Sequence, residues 1–411
     1  MVNPVVVCAG EMDGVQDENV QIEERQMEQS DESIVMDEVT ITSINEAGEI
    51  VVESSSEKNQ AEVEAYALSF MQESQPDNDI RLLGTCPLYG MDDKLTGYYI
   101  MFLRDGEPNG YVLISFLHVG NPIVTLAFEG LGIFEDVQNL QVYTSQNCVK
   151  YIGPDEFYVE SSNNMGTYTS LYDGSTITVQ KASEIYNDSL LNLYEKLQQP
   201  DASIQSGIQS GILDWELGHL DSATVYKIPN FGQGGSYWKT SDFSADDHCA
   251  PTAATNILWY WGWHATSSTS NRVRNRIYNT GSNHSMAIQI FQLAYAGMGT
   301  NIHSTGTQRK NILKGYTNYL GVQPQSGGVW NYKDLLNFTA IYNTITEQCP
   351  IQMSLYKGDD GHSVFALGRA QGTTQNHYKY IIILDGWNRY GRLVGQNYYD
   401  SIKGYKIYIS V

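Results

Sequence analysis

The chain has 411 residues, 41% of them hydrophobic, enough for two or three domains with a sizeable core. Its formal net charge of −23 argues against nucleic acid or an anionic membrane as partner, since both call for basic patches. No apolar run approaches the ~20 residues of a membrane-spanning helix; the absence of a C-x-x-C pair among Cys8, Cys86, Cys148, Cys249 and Cys349 argues against zinc, and their odd number leaves at least one thiol free.

The apolar start "MVNPVVVCAG" reads as part of an export signal, too short to be a complete one, and the 29 tyrosines fit an extracellular protein, so the chain is expected to be secreted or held at the cell surface. Between 11 and 58 the sequence is dominated by Glu and Asp, with Arg25 and Lys58 the only basic residues. Such a stretch buries too little apolar surface to offset its ordering entropy, so 1–58 is expected to be an acidic, disordered segment. In "NQAEVEAYALSFMQES" the apolar residues Val63, Ala67, Phe70 and Met71 recur at helical spacing and predict an amphipathic helix. Short β-type runs follow, "IRLLGTCPLYG", "LTGYYIMFLRDGEPNGYVLISF", "PIVTLAFEG" and "EFYVES", with "RDGEPNG" read as a hairpin turn. A helix over "ASEIYNDSLLNLYEKLQQ" completes an α+β domain spanning 59–197, whose one histidine, His118, has no acid–base cluster around it. The Ser/Gly/Gln-rich stretch 198–212, with SGI twice, reads as a linker.

All seven tryptophans lie beyond the linker, in a domain spanning 213–411. Helices are expected at 251–262, 285–296, 307–320 and 332–348, then strands over "PIQMSLYK", "HSVFALGRA", "KYIIILDGW" and "GYKIYISV", which again gives an α+β order. In "DDHCAPTAATNILWYWGW", Cys249 precedes Pro251, and proline is favoured in the first turn of a helix. A thiol at a helix N-terminus meets free N–H groups and the positive end of the dipole, both of which favour a thiolate. A buried structural cysteine is the competing local reading. His362 opens one apolar run and Asp385 closes the next, and the runs flank a hairpin-like connection, so the two residues are expected on neighbouring strands at one end of a sheet. There Asp385 can fix the imidazole tautomer and hold the imidazolium, and Trp387 can shield the pair from water. His264, His284, His303 and His377 lack metal spacing, and no cofactor or metal is expected.

The motifs "CAPTAATNILWYW", "GHSVFALG" and "ILDGWN" resemble the papain-fold bacterial cysteine peptidases related to bacteriocin-processing (double-glycine) peptidases, over roughly the last 200 residues. The first domain, with "CPLYG", "YYIMF", "NGYVLIS" and "IVTLAFEG", is similar in pattern to the propeptide of streptopain-type peptidases. The resemblance implies a papain-like catalytic domain and a zymogen in which the protein's own prodomain acts as intramolecular inhibitor ahead of a cleavable linker. It implies Cys249 as nucleophile, His362 as base and Asp385 as orienter, with a peptide or protein as substrate. Papain-like enzymes carry an oxyanion-hole Gln about six residues before the cysteine. Phe243 stands there, the nearest upstream Gln is Gln233, and Ser241, Ser244 and His248 are the candidate donors. The same three residues also suit a cell-wall amide hydrolase or a transpeptidase. The missing Gln leaves open a catalytically weak surface-binding or adhesion module.

Overall fold

A computed structural model describes residues 37–44, 50–57, 60–118, 121–135, 149–161, 165–197, 218–227, 237–265, 267–277, 281–302, 305–345, 349–357, 360–373 and 378–410. The expected linker 198–212 lies outside them, as do Cys8, Cys148, Gln233, His303 and His377. Within the acidic segment expected to be disordered, Asp37–Ile44 (β1) and Ile50–Glu57 (β2) pair as an antiparallel hairpin. The β-branched residues of "VTITSI" and "IVV" supply strand propensity there that the charge balance obscures.

The first helix, Gln60–Ser74 (α1), buries Val63, Ala67, Phe70 and Met71, the residues whose spacing predicts it. Strands Ile80–Tyr89 (β3), Leu95–Arg104 (β4), Glu107–Ser115 (β5) and Ile123–Ala127 (β6) form an antiparallel meander, with Asp105 and Gly106 at positive φ in the β4–β5 turn. A second antiparallel run follows: Val149–Gly153 (β7), Glu156–Glu160 (β8), Thr167–Ser170 (β9) and Thr176–Thr178 (β10). The helix Val179–Leu197 (α2) packs Ala182, Tyr186 and Leu190 on Ile152 and Tyr158 of that run.

After the short strand Tyr226–Lys227 (β11) come the helices Cys249–Trp263 (α3), Ser267–Arg274 (α4), Asn283–Met298 (α5) and Ile312–Leu320 (α6). The helix expected over 332–348 is instead the strand Trp330–Leu335 (β12) followed by the short helix Phe338–Thr344 (α7). Trp330 and Leu335 are buried and every residue of β12 pairs with the last strand, so tertiary pairing overrides local propensity. The remaining strands are Ile351–Lys357 (β13), Asp360–Gln371 (β14), Lys379–Leu384 (β15), Arg392–Gly395 (β16) and Ser401–Ile409 (β17).

Antiparallel pairing runs without a break in the order β3-β4-β5-β6-β16-β15-β14-β13-β17-β12. The seam between the halves is therefore a strand pair, Leu126 and Thr125 of β6 against Leu393 and Val394 of β16. Alternation sends β4, β5, β14 and β15 side chains to two faces. Ile100, Ile114, Phe365 and Ile382 pack under α1, α3, α5 and α6, while Met101, Leu113, Val364 and Ile383 pack with residues of α7, β7 and β8 on the other side. Each core holds residues of both halves. Polar links reinforce the seam: Thr125 Oγ1 donates to Leu393 O (2.8 Å), Asn121 Nδ2 to Tyr380 Oη (2.9 Å), and Tyr380 Oη to Ile123 O (3.1 Å). The chain is a mixed α+β protein built on a large, mostly antiparallel sheet. Among the described residues no helix is long and apolar enough to cross a membrane.

Candidate active site

Helix α3 begins at Cys249 itself. Asp247 takes a left-handed φ of 46° just before it, a conformation that Asp tolerates better than most residues, and this turns the chain sharply into the helix. Buried residues including Ala250, Ala254, Ile257 and Leu258 anchor the helix against the sheet. The thiol thus stands at the mouth of a buried helix, on the wall of a cleft of about 1210 Å³.

His362 comes from β14, which packs beside α3, and Asp385 follows the end of β15, two strands paired antiparallel as their flanking turn residues suggest. Ser363 N–H donates to Cys249 Sγ (3.4 Å). Burial pushes the Cys249 thiol up. The hydrogen bond and charge of His362, together with the Ser363 and Ala250 N–H groups, outweigh burial and hold it below the ordinary thiol value. Burial likewise opposes charge on His362, yet Cys249, Asp155 and Asp385 raise it above the ordinary imidazole value. The two shifts favour a thiolate–imidazolium pair.

The geometry corrects one expectation. His362 Nε2 lies 2.7 Å from the backbone carbonyl of Asp385, not from its carboxylate. A carbonyl only accepts, so Nε2 carries the proton and the other ring nitrogen is left to the thiol. The Asp385 carboxylate, 1% exposed, is otherwise engaged. Its Oδ1 accepts from Trp387 N (2.9 Å) and Asn388 N (3.0 Å), closing a turn, and its Oδ2 lies 2.9 Å from Arg392 Nε. Gly386 sits inside that turn at φ 85°, where a side chain is strained, and its carbonyl accepts from Thr240 N (2.7 Å). Trp387 lies flat on His362, ring centroids 4.1 Å apart and planes 2° apart, which excludes water from that face.

The expected oxyanion donors fare unevenly. Phe243 fills the position of the missing Gln with an apolar ring stacked on Phe291 (4.1 Å). Ser241 is exposed on the cleft wall, while Ser244 is exposed and stands outside the cleft lining. His248 is buried and its Nε2 lies 2.8 Å from Thr240 O, so in the neutral ring Nδ1 is an acceptor and supplies no donor. The Cys249 N–H at the helix start remains one donor in place.

Several supporting residues escape a reading by motif. Gln352 of β13 donates to Ala250 O and Ser363 Oγ (3.0 Å each) and accepts from Tyr316 Oη (2.6 Å), tying α3, β14 and α6 together behind the thiol. Tyr172, from the first half, stacks on the face of Trp387 (4.3 Å). Arg392 and Asp155 complete the surroundings. Gln352 lies in a run quoted as a strand, but nothing in the sequence gives the partners of any of the four. Among the described residues, no group of three or more His, Cys, Asp or Glu could hold a metal ion.

Residues 227–407 match the model of the Peptidase_C39 like family. The match covers a little under half of the chain, including Cys249, His362, Asp385 and Arg392, and supports a relationship to C39-type cysteine peptidases. It suggests a cysteine-type peptidase, a hydrolase of peptide substrates, for this part of the chain. No curated protein matches the chain.

Proposed function

We propose that the chain is a cysteine peptidase in which Cys249 is the nucleophile and His362 the acid–base, oriented by the backbone carbonyl of Asp385. The observation that carries this reading is the thiol at a helix start, paired with an imidazole whose tautomer a carbonyl fixes. The thiolate attacks the substrate carbonyl carbon, and the Cys249 N–H stabilises the developing oxyanion. The imidazolium gives its proton to the leaving amine as the C–N bond breaks, leaving a thioester. Neutral His362 then takes a proton from water as the oxygen attacks the thioester, the C–S bond breaks, and the acid leaves with the Cys249 thiolate and His362 imidazolium restored.

A precursor form belongs to the same proposal, with the first half limiting access and cleavage falling within 198–212. In support, Gly132, Ile133, Leu171 and Tyr172 of that half line the cleft beside Cys249. The test is labelling of the chain, before and after cleavage within 198–212, with a small thiol-reactive probe across a range of pH. Labelling is expected at Cys249 and not at buried Cys349, whose thiol burial pushes far up. Because the Cys249 value is lowered, labelling holds below the usual thiol range and fades only on further acidification. Undiminished labelling of Cys249→Ala overturns the assignment.

A further inference from the structure

The thiol–imidazole pair accounts for neither the burial of Arg392 nor its choice of partners. This side chain, 2% exposed, leaves β16 beside the 385–388 turn, with Nε 2.9 Å from Asp385 Oδ2. Its two terminal nitrogens donate to Asp155 Oδ1 (2.9 Å) and Oδ2 (2.7 Å). Asp155 belongs to the first half. It sits at the tip of the β7–β8 hairpin with φ 60°, its side chain 7% exposed, and it accepts further from Tyr399 Oη, while its own N–H donates to Tyr398 Oη (2.9 Å). A guanidinium gripped in this two-pronged way is fixed in plane and direction, which a single contact does not achieve.

The contacts run on in one direction. Arg392 Nε faces the Asp385 carboxylate as an ion pair without an aligned hydrogen bond, the carboxylate accepts from the N–H groups of Trp387 and Asn388, and the turn so formed aims the Asp385 carbonyl at His362 Nε2 and lays Trp387 on the ring. The charged and titratable groups facing Arg392 are Asp155, Asp385, Tyr99, Tyr111, Tyr172 and Tyr399, and those facing His362 are Cys249, Asp155 and Asp385. Asp155 touches no reacting atom.

We propose that Asp155 is a positioning residue for the Cys249–His362 pair, acting through Arg392 on the 385–388 turn, so that the first half of the chain completes the catalytic centre as well as walling its cleft. The proposal rests on the cysteine-peptidase reading of the site.

The test follows the His362 imidazole by NMR as pH is varied, in the full chain and in its Asp155→Asn and Tyr399→Phe variants, with peptide hydrolysis measured alongside. Asp155→Asn keeps size and one acceptor oxygen, removes the charge and turns the other oxygen into an NH2 donor, which breaks one prong of the Arg392 fork. Its His362 midpoint is expected to fall by about one pH unit, about tenfold less imidazolium on the alkaline side. Tyr399→Phe, which removes one hydroxyl from Asp155, is expected to shift it the same way by less, and it decides the matter if Asp155→Asn does not fold. Unmoved midpoints in folded variants overturn the proposal. A midpoint that moves as expected in a chain that hydrolyses no peptide either before or after cleavage within 198–212 supports the positioning role and removes the peptidase reading instead.

Discussion

At the scale of single residues, the identity of the group touching His362 decides which substitutions matter. Asp385→Asn keeps the backbone carbonyl on Nε2 and an acceptor for the turn N–H groups, and loses the charge and the acceptor oxygen that face Arg392. Its expected cost in kcat/KM is below the ~10²-fold lower bound for losing a general acid–base, whereas His362→Ala is expected to cost ~10²–10⁴-fold or more. Equal losses in steady-state kinetics would show that the carboxylate, not the carbonyl, orients the ring. The three residues of the pair and its turn were legible in the sequence, because a helix-start cysteine and two strand-end residues leave local marks. Arg392 and Asp155 were not, because they meet across 237 positions of sequence and neither belongs to a motif. The carbonyl contact was equally hidden, since backbone atoms carry no residue identity.

At the scale of elements, Gln352 joins α3 to β14 and α6 at a point of complete burial. Gln352→Met keeps the volume and orphans the Tyr316 hydroxyl and the Ser363 hydroxyl. A loss of about 1–3 kcal/mol per orphaned group is expected from urea denaturation. The same variant is expected to slow alkylation of Cys249, since Ser363 N–H and the Ala250 turn both bear on the sulfur. A stability loss with unchanged alkylation would separate the brace from the thiol. Most elements are legible from local pattern: α1, α3 and α5 show their apolar spacing, β13 and β14 short apolar runs, and β15 a β-branched run. The pattern of "WNYKDL" is too weak to mark a strand, and the segment becomes one by pairing with β17. Strand β16, at four residues, is too short for alternation to register.

At the scale of the whole molecule, the two halves share one sheet and two cores, which the Ser/Gly-rich stretch between them does not suggest. A cut between 198 and 212 therefore breaks one covalent path and leaves the β6–β16 pairing, the Asp155–Arg392 fork and the stacked Tyr172 intact. After limited proteolysis there, the two fragments are expected to co-elute in size-exclusion chromatography without denaturant. Separate elution would mean that the seam holds only while the chain is continuous. The seam also bears on how the protein is handled. Produced alone, the part from 213 onward would present β16 as an open strand edge carrying Leu393 and Val394, with Arg392 stripped of its bidentate carboxylate. An unpaired apolar edge is a template for self-association. Insolubility of that fragment would then reflect an exposed ladder of unpaired amides rather than a failure of the thiol site to form.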